Sequence, residues 1–178
     1  DIFLKCGETS KPVVFSVGMA SENEVSKALK WLLGTAAKDI TILHCNSAYP
    51  TPIVDSNLRA IDSLREIIYK LDISKSKNIS IGYSDHTVSP AVIYRAVHKY
   101  DIKLIEFHID LDGQGEEFSS GHCWIPKNIS DVIRNIKSGF VADGDGRIAP
   151  TESEIFDRDW RADPEDGLRP LKKVRNNF

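Results

Sequence analysis

No run in this sequence approaches the roughly 18 consecutive apolar residues that a membrane-spanning helix requires. The opening DIFLKCGETS lacks the basic segment and apolar core of a secretory leader. Cysteine is sparse. Cys6, Cys45 and Cys123 form no C-x-x-C pair, so neither a zinc knuckle nor a disulfide framework is expected, and a cytoplasmic location is. An excess of charge of one sign is also lacking: the net charge of −3 favours neither a nucleic-acid nor a membrane-surface partner. The basic RPLKKVR near the end is preceded by Asp157, Asp159, Asp163, Glu165 and Asp166, and it reads as a solvated surface segment. Neither G-x-G-x-x-G nor G-x-x-x-x-G-K-[ST] occurs, which removes the common nucleotide-binding motifs.

What is present is the composition of a globular protein, 41% hydrophobic and 28% charged, arranged as four strand-then-helix units. Apolar strands are predicted at 12–18, 40–45, 79–84 and 103–109. After the first, Ser21 with Glu24 three residues on forms a capping box, and Val25, Leu29, Leu32 and Leu33 share one helical face. The second helix, 57–70, buries Leu58, Ile61, Leu64, Ile67 and Ile68. The third, 89–100, carries Val92, Ala96 and Val97. A fourth begins near Pro126, a residue suited to a first turn. Alternating strands and helices imply a parallel sheet, either a small doubly wound sheet or half of a (β/α)8 barrel. The pattern fades after Gly139, so residues 1–139 are read as the α/β domain and 140–178 as an irregular Gly/Asp/Pro-rich tail. In that tail Asp143, Asp145, Gly146 and Glu152 match EF-hand positions, but Val141 stands where the first carboxylate is needed.

In either architecture the chemistry belongs at the C-terminal ends of the strands. Strand alternation puts Gly82, Ser84 and His86 on one face, and Leu104, Glu106 and His108 on the same face of the next strand. With neighbouring strands about 4.8 Å apart, two imidazoles so placed can reach one divalent ion, with Asp85 or Glu106 available to orient them. His44 should pack under a helix, on the opposite face from Cys45, and His98 lies mid-helix. His122, in SSGHCWIP, sits in a loop over the strand ends within reach of a substrate. Ser16 and Gly18, with Ser47 and Ser84 on neighbouring strands, offer hydroxyl and N–H donors suited to a phosphate.

The segments KPVVFSVGM, ILHCNSAYPTP, NLRAI, IGYSDHT and IEFHIDLD, in this order, resemble the sialic acid synthase (N-acetylneuraminate synthase) family from about Lys11 to Gly139. The resemblance implies an α/β fold, the last four units of a TIM barrel. It implies condensation of phosphoenolpyruvate with the open-chain aldehyde of an N-acylated mannosamine-type sugar, giving a nine-carbon 2-keto acid and phosphate by C–O cleavage. It also implies a divalent cofactor, Mn2+ or Mg2+, held by His86 and His108, with Ser16, Ser47 and Ser84 beside phosphoenolpyruvate and Tyr49 beside the sugar. His86, His108 and Glu106 are the expected catalytic residues. Asp85, Glu117 and His122 join Ser16, Ser47, Tyr49 and Ser84 as expected substrate contacts.

The sequence departs from the family in three places. Four earlier strands, with a Lys and a Glu important to the chemistry, have no counterpart. The PGPD segment after the second histidine is replaced by DGQGEEFSSGHCWIP, where Glu116, Glu117 or His122 can substitute. Members of the family often carry a C-terminal antifreeze-like domain, and the segment RDWRADPEDGLRPLKK is expected to be too short for one. A half-barrel exposes two sheet edges and an apolar interior, so pairing with a complementary half or with itself is expected, and so is reduced activity alone. The rival readings are a non-catalytic module binding metal or sugar phosphate, another metal-dependent TIM-barrel aldolase, and an α/β domain with structural histidines.

Overall fold

The structure, a computed structural model, describes residues 2–71 and 77–177. Four strands, β1 (Val13–Ser16), β2 (Asp39–His44), β3 (Asn78–Asp85) and β4 (Ile105–Phe107), form one parallel sheet in the order β1-β2-β3-β4. Helices α2 (Glu22–Leu33), α3 (Ala60–Lys70), α4 (Pro90–Tyr100) and α6 (Pro126–Ala142) follow them in turn, with α1 (Ile2–Glu8) in front and a short α5 (Glu116–Ser119) before α6. In a doubly wound sheet the strand order reverses at a switch point. Here each new strand adds beyond the last, as around a barrel wall, so the fold is four consecutive units of a (β/α) barrel.

Local chemistry accounts for the helix limits. The Glu24 carboxylate accepts from the Ser21 N–H (2.8 Å) and hydroxyl (2.7 Å), fixing the start of α2, and Gly34 closes it. Pro90 occupies the first turn of α4, and Asp101, in the left-handed region at φ 52°, ends it. The 3-10 turn Ile53–Ser56 and a left-handed Asn57 delay α3 to Ala60, three residues later than the apolar spacing predicts.

The sheet face turned to the helices is apolar. Val13, Ile40 and Ile42 pack with Val25, Leu29, Leu32, Leu64 and Ile67. Tyr83 packs with Ile61, Val92 and Ala96, and Trp124 with Ile93, Val97, Ile129 and Val132. A fully buried leucine such as Leu29 or Leu32 contributes roughly 2 kcal/mol. On the other face, register aligns Ser16 with Leu43, Leu43 with Gly82, and Ser84 with Glu106. This is the face a closed barrel turns inward, and Val14 and Leu104 on it are exposed. No signal in the opening residues announced α1. It is held by tertiary contact, with the Phe3 ring edge-on to Phe15 at 5.3 Å and tilted against Trp31 at 6.5 Å.

The chain forms two compact units, Asp1–Ser138 and Gly139–Phe178. The second is braced by polar contacts of its own. Asp163 accepts from the Lys172 and Glu165 N–H groups (2.6 and 2.9 Å), Arg175 pairs with Asp166 (2.6 Å) and Lys173 with Asp159 (2.7 Å). Among the described residues no helix is long and apolar enough to cross a membrane.

Candidate active site

His86 and His108 extend beyond the ends of β3 and β4, on the inward face, with ring centroids 5.2 Å apart and planes at 77°. Two imidazoles sharing one cation through bonds of about 2.1 Å place their centroids roughly 5–6 Å apart, so the pair fits a common ion. The tautomer of His86 follows from its surroundings. Its Nδ1 lies 2.6 Å from the Asn46 carbonyl oxygen, which can only accept, so Nδ1 carries the proton. Nε2 is then left with its lone pair, 3.4 Å from Ser84 Oγ. A backbone carbonyl on the far nitrogen is the usual partner of a metal-binding histidine. His108 Nδ1 lies 3.4 Å from Glu117 Oε2, an acceptor that performs the same office and leaves Nε2 for a cation.

The loop after β2 is rigid enough to hold that carbonyl. Asn46 Oδ1 accepts from the Ala48 N–H (2.8 Å), Asn46 Nδ2 donates to the Asp55 carbonyl (3.1 Å), and the Thr51 N–H donates to the His86 carbonyl (2.8 Å). A cis Tyr49–Pro50 bond lies in this loop, and the Tyr49 ring lies tilted by 33° against His86 at 4.2 Å, with His122 at 5.1 Å and His108 at 5.6 Å. Tyr49 is half-exposed and so presents a wet aromatic surface over the imidazoles.

Ser84 donates to Glu106 Oε2 at 2.5 Å across β3 and β4. Toward β1, the Gly18 N–H donates to Cys45 Sγ at 3.2 Å, and the Ser16 hydroxyl also reaches that sulfur. Burial pushes the Cys45 thiol up, against the pull of these donors. Gly18 has φ +50°, and a Cβ there would stand 2.9 Å from Ser47 Oγ, so glycine lets the β1 turn close onto Ser47. Gly18 and Ser47 line a cavity of about 720 Å³ together with Asn46 and Arg59. Arg59 was missed by the sequence reading. It lies in NLRAI just ahead of α3 and lines the same cavity, whose walls include Val25 of α2 and Leu64 and Ile67 of α3 but neither Ser16 nor Ser84.

Glu117 and His122 come together at His108, with His122 Nε2 3.8 Å from Glu117 Oε2. The hydrogen bond from His108 holds the Glu117 carboxyl below its ordinary value, against the smaller opposing effect of desolvation. The return segment of the loop lies alongside the end of β4, since the Trp124 N–H donates to the His108 carbonyl (2.9 Å) and the Asp110 N–H to the Trp124 carbonyl (2.8 Å). Cys123, buried in this segment, was also missed. Its thiol is pushed up by burial and by the Glu117 charge beside it.

One expected substrate contact is corrected. Asp85 has no exposed surface and shares the helix-side face with Tyr83. Its carboxylate accepts from Thr87 Oγ1 (2.6 Å), the Thr87 and Val88 N–H groups (both 3.1 Å) and Trp124 Nε1 (3.0 Å). It braces the turn that carries His86 and cannot touch a ligand on the other face. His44 is packed as expected on the helix side, with Nε2 2.8 Å from the Ser56 carbonyl, and His98 lies on the exposed side of α4.

A profile of the NeuB family matches residues 1–148. An uncharacterized protein of Methanocaldococcus jannaschii is 35% identical over 150 residues, covering 84% of this chain and 42% of that protein. The N,N'-diacetyllegionaminic acid synthase of Campylobacter jejuni is 32% identical over 152 residues, with the same 84% and 42% coverage. A solved N-acetylneuraminic acid synthetase from Leptospira borgpetersenii superposes with a TM-score of 0.67 at 25% identity, over 88% of this chain and 51% of that one. The chain thus spans less than half the length of the two curated relatives. With the family profile covering most of its sequence and its strands wound as a half-barrel, the chain belongs to the NeuB family.

Proposed function

We propose that this chain supplies the cation and phosphoenolpyruvate half of a synthase that condenses phosphoenolpyruvate with the aldehyde of an N-acylated amino sugar. The observation that carries the reading is the orientation of His86, whose Nδ1–H is committed to the Asn46 carbonyl while its ring stands 5.2 Å from that of His108. His86 and His108 would hold Mn2+ or Mg2+ with carboxylate or water oxygens completing the shell. A bound ion of this kind supplies Lewis acidity toward the aldehyde oxygen, making its carbon electrophilic toward carbon 3 of the enolpyruvate.

The residues of the chain do the rest. Ser16, Ser47 and the turn at Gly18 bind the phosphate. Ser84 and Glu106 form the proton-handling pair: Glu106 takes the proton of the water that adds to carbon 2, and the Ser84 hydroxyl orients it. Glu106 passes that proton to the former aldehyde oxygen, which becomes a hydroxyl, and carbon 2 loses phosphate, which keeps the bridging oxygen and takes the proton of the carbon 2 hydroxyl as the keto group forms. Tyr49, Glu117 and His122 face the sugar. The inward face, with Val14 and Leu104 exposed, requires a partner to shut out water, and a complementary half-barrel is that partner.

The chain co-produced with the first four (β/α) units of a relative tests this. With phosphoenolpyruvate labelled with 18O at the enol oxygen, sugar-dependent release of labelled phosphate is expected. Consumption of pyruvate without phosphate release would instead identify an aldolase, and binding of both ligands without product a non-catalytic module.

A further inference from the structure

Four donors converge beside the His86–His108 pair without including His86. One ligand atom each from His108, Glu117, His122 and Cys123 lies within 4.8 Å of all the others. Around Glu117 Oε2 the distances are 3.4 Å to His108 Nδ1, 3.8 Å to His122 Nε2 and 3.7 Å to Cys123 Sγ. A tetrahedral zinc centre with its usual bond lengths places donors roughly 3.3–3.7 Å apart. The set is therefore gathered close to ligand spacing by the fold alone.

Proton placement strengthens the case. Ser120 Oγ spends its hydrogen on the Glu117 carbonyl at 2.8 Å, so at 2.9 Å from His122 Nδ1 it accepts. His122 therefore carries a proton on Nδ1, and in the neutral ring its Nε2 lone pair is free beside the Glu117 carboxylate, 3.8 Å away. The nearly buried His122 ring and the exposed Glu117 carboxylate thus face each other across a gap that a cation can bridge. The ring centroids of His108 and His122, 5.2 Å apart, repeat the spacing of the His86–His108 pair.

We propose that His108 Nδ1, Glu117 Oε2, His122 Nε2 and Cys123 Sγ form a closed four-donor site for a thiophilic divalent cation, Zn2+ in preference to Mn2+ or Mg2+. A thiolate with two imidazoles selects zinc, whereas oxygen-rich open sites suit magnesium and manganese. Occupancy releases the Cys123 proton to solvent and moves the His108 proton from Nδ1 to Nε2. His108 then no longer has Nε2 to offer beside His86, so zinc at this site and a cation at the two-histidine pair exclude each other. That competition rests on the proposed function; the four-donor site stands on its own geometry. All four ligands come from the stretch 108–123 of this chain, so no partner half is needed to form it.

The test uses the full chain without turnover, in a non-chelating phosphine reductant, with Co2+ as spectroscopic reporter and Zn2+ as competitor. The expected result is one equivalent of Co2+ with thiolate-to-cobalt charge-transfer absorption, displaced by Zn2+. Cys123→Ser abolishes that absorption, and Cys123→Ser and the exposed-site variant Glu117→Gln each weaken zinc about tenfold or more. His86→Ala leaves zinc affinity within about twofold, since His86 is outside the set. A cobalt spectrum without thiolate character, unchanged zinc affinity in both ligand variants, or no binding at all would overturn the proposal. Failure here leaves the condensation untouched, because Mn2+ binding through His86 is read separately.

Discussion

The Trp124 indole N–H donates to Asp85 Oδ2 at 3.0 Å, joining the turn that carries His86 to the segment that carries His122 and Cys123. Both groups are buried, so neither has water as a substitute partner. Trp124→Phe keeps most of the apolar contact but leaves the carboxylate one donor short, and it should cost about 1–3 kcal/mol in urea unfolding. Asp85→Ala strands five donors together, the Tyr83 hydroxyl included, and should cost about 3 kcal/mol or more. A change below half a kilocalorie in both would show that the brace does not stabilise the fold.

Gly82 packs where strands β2, β3 and β4 meet. A Cβ there would stand 2.4 Å from Leu43 Cδ2 and 2.8 Å from the Leu104 carbonyl oxygen. The leucine tip can rotate, but the carbonyl belongs to the backbone of the next strand. Gly82→Ala should therefore destabilise the chain by about 1–3 kcal/mol, measured by thermal or chemical denaturation.

Burial holds the His44 imidazole below its ordinary value near 6.5, outweighing its hydrogen bond to the Ser56 carbonyl. The folded state thus refuses a proton that the unfolded chain takes up. His44 contributes fully above the unfolded value, and the contribution declines as the pH falls toward the lowered folded one. Urea midpoints at pH 7.5 and 5.5 should fall for the native chain and fall less for His44→Gln. Parallel losses in the two proteins would contradict this assignment.

Ser84 and Glu106 meet at 2.5 Å on the inward face. In the reconstituted synthase, Glu106→Gln should lower phosphate release about a hundredfold or more, with phosphoenolpyruvate affinity little changed. If the two carboxamide and carboxylate forms turn over alike, Glu106 is a structural partner of Ser84 and not the base.

Much of this arrangement is visible in the residue order. Alternation along 80–86 and 104–108 puts Ser84, His86, Glu106 and His108 on one face, because a parallel strand leaves each side chain only two directions. The same rule assigns Asp85 to the helix side. Its place beside His86 in SDHT drew it into the expected substrate contacts, against the alternation of the strand. Helix α1 is too short to show a period and has no capping pattern, so it depends on Phe3 meeting Phe15 across the fold. Glu117, His122 and Cys123 lie in a loop, where no periodicity fixes direction. Their convergence on His108 comes from the pairing of Trp124 with the end of β4, a contact that a linear pattern does not encode.

The central claim is that His86 and His108 share one divalent cation. Titration calorimetry of Mn2+ into the native chain, His86→Ala and His108→Ala tests it most directly. The account predicts a single site whose affinity falls about tenfold or more in each variant, while Cys123→Ser stays close to native. Equal affinity in the native chain and both histidine variants would contradict it.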